Sequence, residues 1–127
     1  MKFVDKFSIL IIQQKLIDRY GGIHGLRDDG ALESAVKAAE NRFYYETEDA
    51  AKLAATYAYH LSQAHAFLDG NKRIAAAAAG VFLEINGFLL DATEEQIIKL
   101  FLDIADGNLS RDNVEEMFAD WLIQPEN

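Results

Sequence analysis

The sequence predicts an all-α domain, a compact bundle of about six helices around a central apolar one. Three observations carry this. Apolar residues recur at three- and four-residue spacing through most of the chain. No segment sustains the period-two alternation of a half-buried strand. The one proline among 127 residues is Pro125, so few proline breaks are expected in helices.

The first helix is expected from about Ile9 to Tyr20, with Ser8 as N-cap and Gly21-Gly22 as its stop. The stretch Gly21 to Gly30, with its glycines and aspartates, reads as a structured loop. Asp28 or Asp29 would cap a second helix, about Ala31 to Phe43, whose apolar face is Leu32, Ala35, Val36, Ala39 and Phe43. Tyr44-Tyr45-Glu46-Thr47 reads as a connector. The third helix, about Glu48 to His65, carries Leu53, Tyr57, Leu61 and Ala64 on one stripe. Asp69-Gly70-Asn71 is turn chemistry. The fourth helix, about Lys72 to Asn86, is apolar nearly all round and belongs inside the bundle, with Ala75 to Ala79 letting neighbours approach closely; Gly87 ends it. Thr93 and Gln96 form a capping box for the fifth helix, whose core face is Ile97, Leu100, Phe101 and Ile104. The sixth starts near Ser110 and buries Val114, Met117, Phe118, Trp121 and Leu122.

Composition bounds the setting. Half the residues are hydrophobic, enough for one core and one domain over residues 1–127. There is no cysteine, which excludes disulfides and thiolate metal sites and fits a reducing compartment. Acid and base interrupt the apolar run at Met1 to Lys6, so no signal-peptide layout is present, and the longest apolar stretch, Ile74 to Leu83, is too short for a bilayer. The expectation is a cytoplasmic protein without a membrane partner. A net charge of −9 disfavours direct nucleic-acid binding; it either suits a basic partner protein or serves solubility alone.

The chemistry concentrates in His65-Ala66-Phe67-Leu68-Asp69-Gly70-Asn71-Lys72-Arg73. Residues 70 to 73 open the fourth helix, where free backbone N–H groups and the helix dipole make a site for an anion. Gly70 lets a phosphate approach the backbone. Lys72 and Arg73 add positive charge, and Arg73 can grip phosphate oxygens in a bidentate way. Cations at a helix N-terminus oppose the dipole, which implies that an anion normally sits there. Asp69 is placed to hold Mg²⁺. His65 can take a proton from an attacking hydroxyl. Phe67 is expected to anchor the loop in the core. Asn71 either bonds a phosphate oxygen or braces the loop. His24 and His60 are read as loop and helix-face residues, not metal ligands.

These residues resemble the core motif of the Fic/Doc superfamily, His-x-Phe-x-Asp/Glu-Gly-Asn-Gly/Lys-Arg, at every fixed position. The segments Arg19 to Asp28, Gly30 to Ala35 and Phe82 to Phe88 are similar to the Doc (death-on-curing) branch. The resemblance implies a Fic/Doc fold. It implies His65 as catalytic base, Asp69 as Mg²⁺ ligand, Gly70, Asn71, Lys72 and Arg73 as the nucleotide-phosphate loop, and Phe67 as its anchor. It makes Asn41 to Glu48 similar to the flap that docks the target; for Tyr44-Tyr45, target contact and core packing both stay open.

Position 72 is Lys where adenylylating Fic enzymes usually have Gly, and Ala76 stands where they carry a second arginine. The Lys form is associated with a reversed nucleotide and transfer of the γ-phosphate. The resemblance therefore implies an ATP- and Mg²⁺-dependent protein kinase toxin that acts on elongation factor Tu and blocks translation. No Ser/Thr-x-x-x-Glu-Gly/Asn inhibitory motif occurs in the chain, so inhibition is expected from a cognate antitoxin. Two alternatives stand beside this: AMP transfer from the same site, and a nucleotide-binding regulatory module without catalysis.

Overall fold

The computed structural model describes residues 1–123. Six helices follow in order: α1 (Lys6–Tyr20), α2 (Asp29–Tyr45), α3 (Ala50–Ala64), α4 (Asn71–Ile85), α5 (Glu94–Ala105) and α6 (Arg111–Trp121). Among the described residues, sheet is confined to two short strands, β1 (Leu89–Leu90) and β2 (Leu122–Ile123), paired antiparallel as Leu89↔Ile123 and Leu90↔Leu122. Pro125 lies outside the described residues.

Several boundaries differ from expectation, each for a local reason. α1 begins three residues before Ile9, because Asp5, not Ser8, is the N-cap; its side chain accepts from Ser8 N at 2.8 Å. Of the two candidates for α2, Asp28 caps, accepting from Ala31 N at 3.0 Å. α2 also runs on through Tyr44 and Tyr45, which sequence reading places in the connector. Phe3, Phe43 and Tyr44 stack there with ring centroids 5.2–6.4 Å apart, giving the extra turn an aromatic neighbour. α3 is capped by Asp49 and begins at Ala50. The capping box of Thr93 and Gln96 is present as expected, and Ser110 and Asn113 form a second one on α6.

α4 is buried as its composition implies, along Ile74, Ala75, Ala78, Ala79, Phe82 and Leu83. α3 is buried more deeply still, at ten of its fifteen positions, and packs against α2, α4, α5 and α6. Its alanines at 50, 51, 54, 55 and 58 let four neighbours close in. Tyr57, fully buried, fixes the N-terminal segment: its hydroxyl accepts from Val4 N at 3.0 Å and donates to Val4 O at 3.3 Å. Burial pushes its phenol up to about 12.

α2 and α3 run antiparallel. The start of α2 meets the end of α3, where Asp28 N donates to the Ala66 carbonyl at 2.9 Å. At the other end Arg42 donates to Lys52 O at 3.2 Å and to Thr56 Oγ1 at 3.0 Å, and pairs with Glu46 and Glu115. This network ties α2, α3 and α6 together far from the loop that follows α3. No helix among the described residues is long and apolar enough to cross a membrane.

Candidate active site

Three segments build the site: the C-terminus of α3, the loop 65–70 and the first turn of α4. α3 stops at His65, whose backbone is left-handed at φ 49°, ψ 40°. Among the described residues it is the one non-glycine with positive φ. Histidine tolerates this conformation better than most residues, and such outliers gather at functional positions. The turn lifts the imidazole out of the helix path, and the side chain is exposed.

The loop is then pulled inward. Phe67 is 3 % exposed and sits in the core. Asn71 closes the loop on itself: its Oδ1 accepts from Phe67 N at 3.1 Å and its Nδ2 donates to Phe67 O at 3.0 Å. The side-chain amide of Asn71 is thus engaged with backbone, so at the helix start only its backbone N–H remains to meet a ligand.

A second loop, residues 21–28, lies against the first. Arg27 N and Asp28 N both donate to Ala66 O, and Leu68 N donates to Gly25 O at 3.1 Å. Leu26 and Phe67 form an isolated antiparallel bridge. Glycine is required for the fit. Gly22 has φ +122°, and a Cβ there would meet Asp69 Oδ2 at 2.6 Å. The close approach lets Ile23 N reach Asp69 Oδ2 at 3.3 Å, while Gly70 N donates to Asp69 Oδ1 at 2.8 Å. These two bonds aim the carboxylate and leave it exposed.

α4 starts differently from the other five helices. Asp5, Asp28, Asp49, Thr93 and Ser110 cap those with side-chain bonds. α4 has Gly70 at the cap position, at φ 79°, with no side-chain cap and no acid in the first turn. Its opening N–H groups therefore face outward with Lys72 and Arg73 beside them. Arg73 lies over the Tyr20 ring at 5.0 Å, and Arg19 approaches the same ring at 5.3 Å. This cation–π contact steadies a long side chain that is otherwise exposed.

All seven expected site residues fall in this region, and six of them share one cavity of about 580 Å³. Its lining includes His65, Asp69, Gly70, Asn71, Lys72 and Arg73, together with Tyr20, Gly21, Gly22 and Ser62. Phe67 stands behind it as part of the core. A smaller apolar hollow of about 270 Å³ adjoins it, sharing Lys72 and Arg73 and floored by Ala76, Ile97 and Phe101. Sequence reading takes Gly21-Gly22 as a helix stop and Arg19 to Asp28 as a Doc-like segment, but assigns no site role to Tyr20, Gly22 or Ser62. Only the glycine run carried a signal, and it could not say what the loop would touch.

The donor set fits a magnesium–polyphosphate. Helix N–H groups and two cations would meet the anion, and one exposed carboxylate would meet the cation. Among the described residues no three His, Cys, Asp or Glu gather around a common point. A cation bound through Asp69 would complete its shell with phosphate oxygens and water.

One expectation fails on geometry. The segment 41–48 cannot be a flap over this site. α2 starts beside Ala66 and runs away from it for 17 residues, about 25 Å, so Tyr44 and Tyr45 lie at the far end of the bundle. The segment that borders the site is 21–28.

Comparison with known proteins agrees with the motif. A family model described as "Fic/DOC family" matches residues 3–83. "Protein kinase doc" of Escherichia phage P1 is 30% identical over 117 residues, which is 91% of this chain and 92% of that protein. "Toxin Doc" of Mycolicibacterium smegmatis (strain ATCC 700084 / mc(2)155) is 42% identical over 76 residues, 58% of each chain.

Proposed function

Since the chain belongs to the Fic/DOC family, we propose that it is a Doc-type toxin that transfers the γ-phosphate of ATP to a hydroxyl of a target protein, elongation factor Tu. One observation carries the reading: the uncapped, cation-flanked start of α4 opens into the same cavity as His65 and Asp69. A site for the phosphates, a base and a metal-binding carboxylate then lie around one space. The names of the two relatives support the toxin and kinase parts of the reading.

The residues divide the work. The N–H groups of the first turn of α4, with Lys72 and Arg73, hold the phosphate chain and offset its charge. Asp69 would hold Mg²⁺, which on binding supplies further charge neutralisation. His65 accepts the proton of the target hydroxyl as that oxygen forms its bond to the γ-phosphorus. The bond from the γ-phosphorus to the β–γ bridging oxygen breaks, and ADP leaves with the electron pair. Little covalent work falls to the protein, so positioning dominates. This is why Asn71 and Phe67 matter: they keep the loop that carries Asp69 from drifting.

Lys72 supports γ-phosphate transfer over AMP transfer, as does Ala76, which leaves an apolar hollow where a second arginine would add charge. Control is assigned to a cognate antitoxin, and the protein to the cytoplasm.

The test is incubation with cell extract and ATP labelled at either the α- or the γ-phosphate, with His65→Ala as control. Label on one protein from γ alone, lost in the variant, is the expected result. Label from α would replace the kinase with an adenylyltransferase. ATP binding without transfer to extract or to purified elongation factor Tu would reduce the chain to a nucleotide-binding module.

A further inference from the structure

The cavity has a polar group on its lining that none of the roles above uses. Ser62 lies in the last turn of α3, three residues before His65, and lines the cavity. It is 4% exposed, and its Oγ has no hydrogen-bond partner among the described residues. A serine inside a helix ordinarily donates back to the carbonyl four residues earlier, here Ala58. Ser62 does not, although Thr56 on the same helix does, bonding Lys52 O at 2.7 Å. A buried hydroxyl left without a partner is costly and calls for an explanation.

The geometry points to Ser62 as a ligand-contacting residue that donates a hydrogen bond to a phosphoryl oxygen of the bound nucleotide. This rests on the reading above, that the cavity takes a polyphosphate. The surroundings choose the partner. The lining's carboxylate, Asp69, already accepts from Gly70 N and Ile23 N, and the lining also holds the cations Lys72 and Arg73 and the start of α4 at Asn71, donors that call for an anion. A group that satisfies them is an acceptor, and a hydroxyl beside them completes the set only by donating. Rotation about one side-chain torsion is all Ser62 needs to turn toward the cavity. The hydroxyl adds a contact from α3 to a cavity that the start of α4 also lines.

The test compares wild type and Ser62→Ala by thermal unfolding and by calorimetric titration with MgATP and with inorganic tripolyphosphate. Without ligand, Ser62→Ala is expected to melt at or above the wild-type temperature, because an unmet polar group is removed and alanine is the better helix former. Its affinity for both ligands is expected to fall about 2- to 10-fold, as for one lost hydrogen bond. Its KM for ATP should rise by the same factor with kcat little changed. Wild-type affinity in the variant for both ligands overturns the inference and leaves the proposed function intact. So does a lower ligand-free melting temperature with unchanged affinity, the signature of a packing role. If wild type binds neither ligand, the proposed function falls and this inference with it.

Discussion

Asn71 holds Phe67 by both backbone groups, accepting from its N–H at 3.1 Å and donating to its carbonyl at 3.0 Å. The pair fixes the loop from inside while leaving Asp69 and the start of α4 free to face the cavity. Asn71→Ala should remove both bonds at a cost of about 1–3 kcal/mol in stability. Transfer should suffer more than stability does, because the loop that orients Asp69 loses its brace. Chemical denaturation and transfer rates, measured side by side, check this; a variant with wild-type transfer would show that the brace is dispensable.

His65→Ala should lower transfer by about 10²–10⁴-fold, the usual contribution of a positioned base. The side chain is exposed, so the variant should stay folded. The left-handed backbone adds a control. His65→Gly relieves the strain at φ 49° and should melt no lower than His65→Ala, yet remain as inactive.

Gly22 separates backbone strain from the Mg²⁺ role proposed for Asp69. A Cβ at Gly22 would collide with Asp69 Oδ2 at 2.6 Å and Ile17 Cδ1 at 2.9 Å, whereas at Gly21 it would meet nothing within 4 Å. Both have positive φ, so both alanine variants should lose about 1–3 kcal/mol from strain. Only Gly22→Ala should also raise the Mg²⁺ concentration needed for half-maximal transfer, by several-fold. Equal Mg²⁺ requirements in the two variants would count against the Mg²⁺ role proposed for Asp69.

His60 gives the fold an acid-sensitive joint. Arg111 of α6 donates to His60 Nε2 at 3.3 Å, a bond that needs the neutral ring. Burial, then Arg111, then Arg42 of α2 hold its pKa below the ordinary 6.5; Glu115 of α6 also faces the cluster and pairs with both arginines. Above pH 6.5 both folded and unfolded states are neutral there, and this contribution to stability is complete. As pH falls through 6.5 the unfolded chain takes up a proton that the folded chain resists, so stability drops. The carboxylates with lowered pKa, Asp5 and Glu46, act at lower pH, below their ordinary 3.8 and 4.5. The melting temperature should therefore fall between pH 7 and pH 5, and His60→Gln should flatten that slope. An unchanged slope in the variant would place the sensitivity elsewhere.

Much of this architecture was legible in the residues because the signals were local. Thr93 and Gln96 announce a helix start three residues apart, and the Asp69-Gly70-Asn71 turn announces a break. The helix limits slipped where a signal had a competitor nearby: Asp5 caps α1 although Ser8 is also a good cap residue. The nine-residue motif located the cavity because its members are adjacent in sequence. What stayed hidden depends on contacts between distant segments. Nothing in Gly22 names Asp69 as its neighbour, and nothing in Arg42 names Glu115, 73 residues away. The misplaced flap has the same origin. Sequence order placed Asn41 to Glu48 before the motif, but the direction of α2, set by packing against α3, carried it to the other end.

That direction has a practical consequence. The molecule has two poles: one gathers His65, Asp69 and the opening of α4, and the other, at Glu46 to Asp49, holds the Arg42 cluster. A fluorophore or affinity tag attached at Glu48 would stand beyond the end of α2, a helix about 25 Å long, that lies far from the candidate site. Tethering the protein to a surface through that pole would present the candidate site to solvent, so the immobilised protein should keep whatever transfer rate the free one shows.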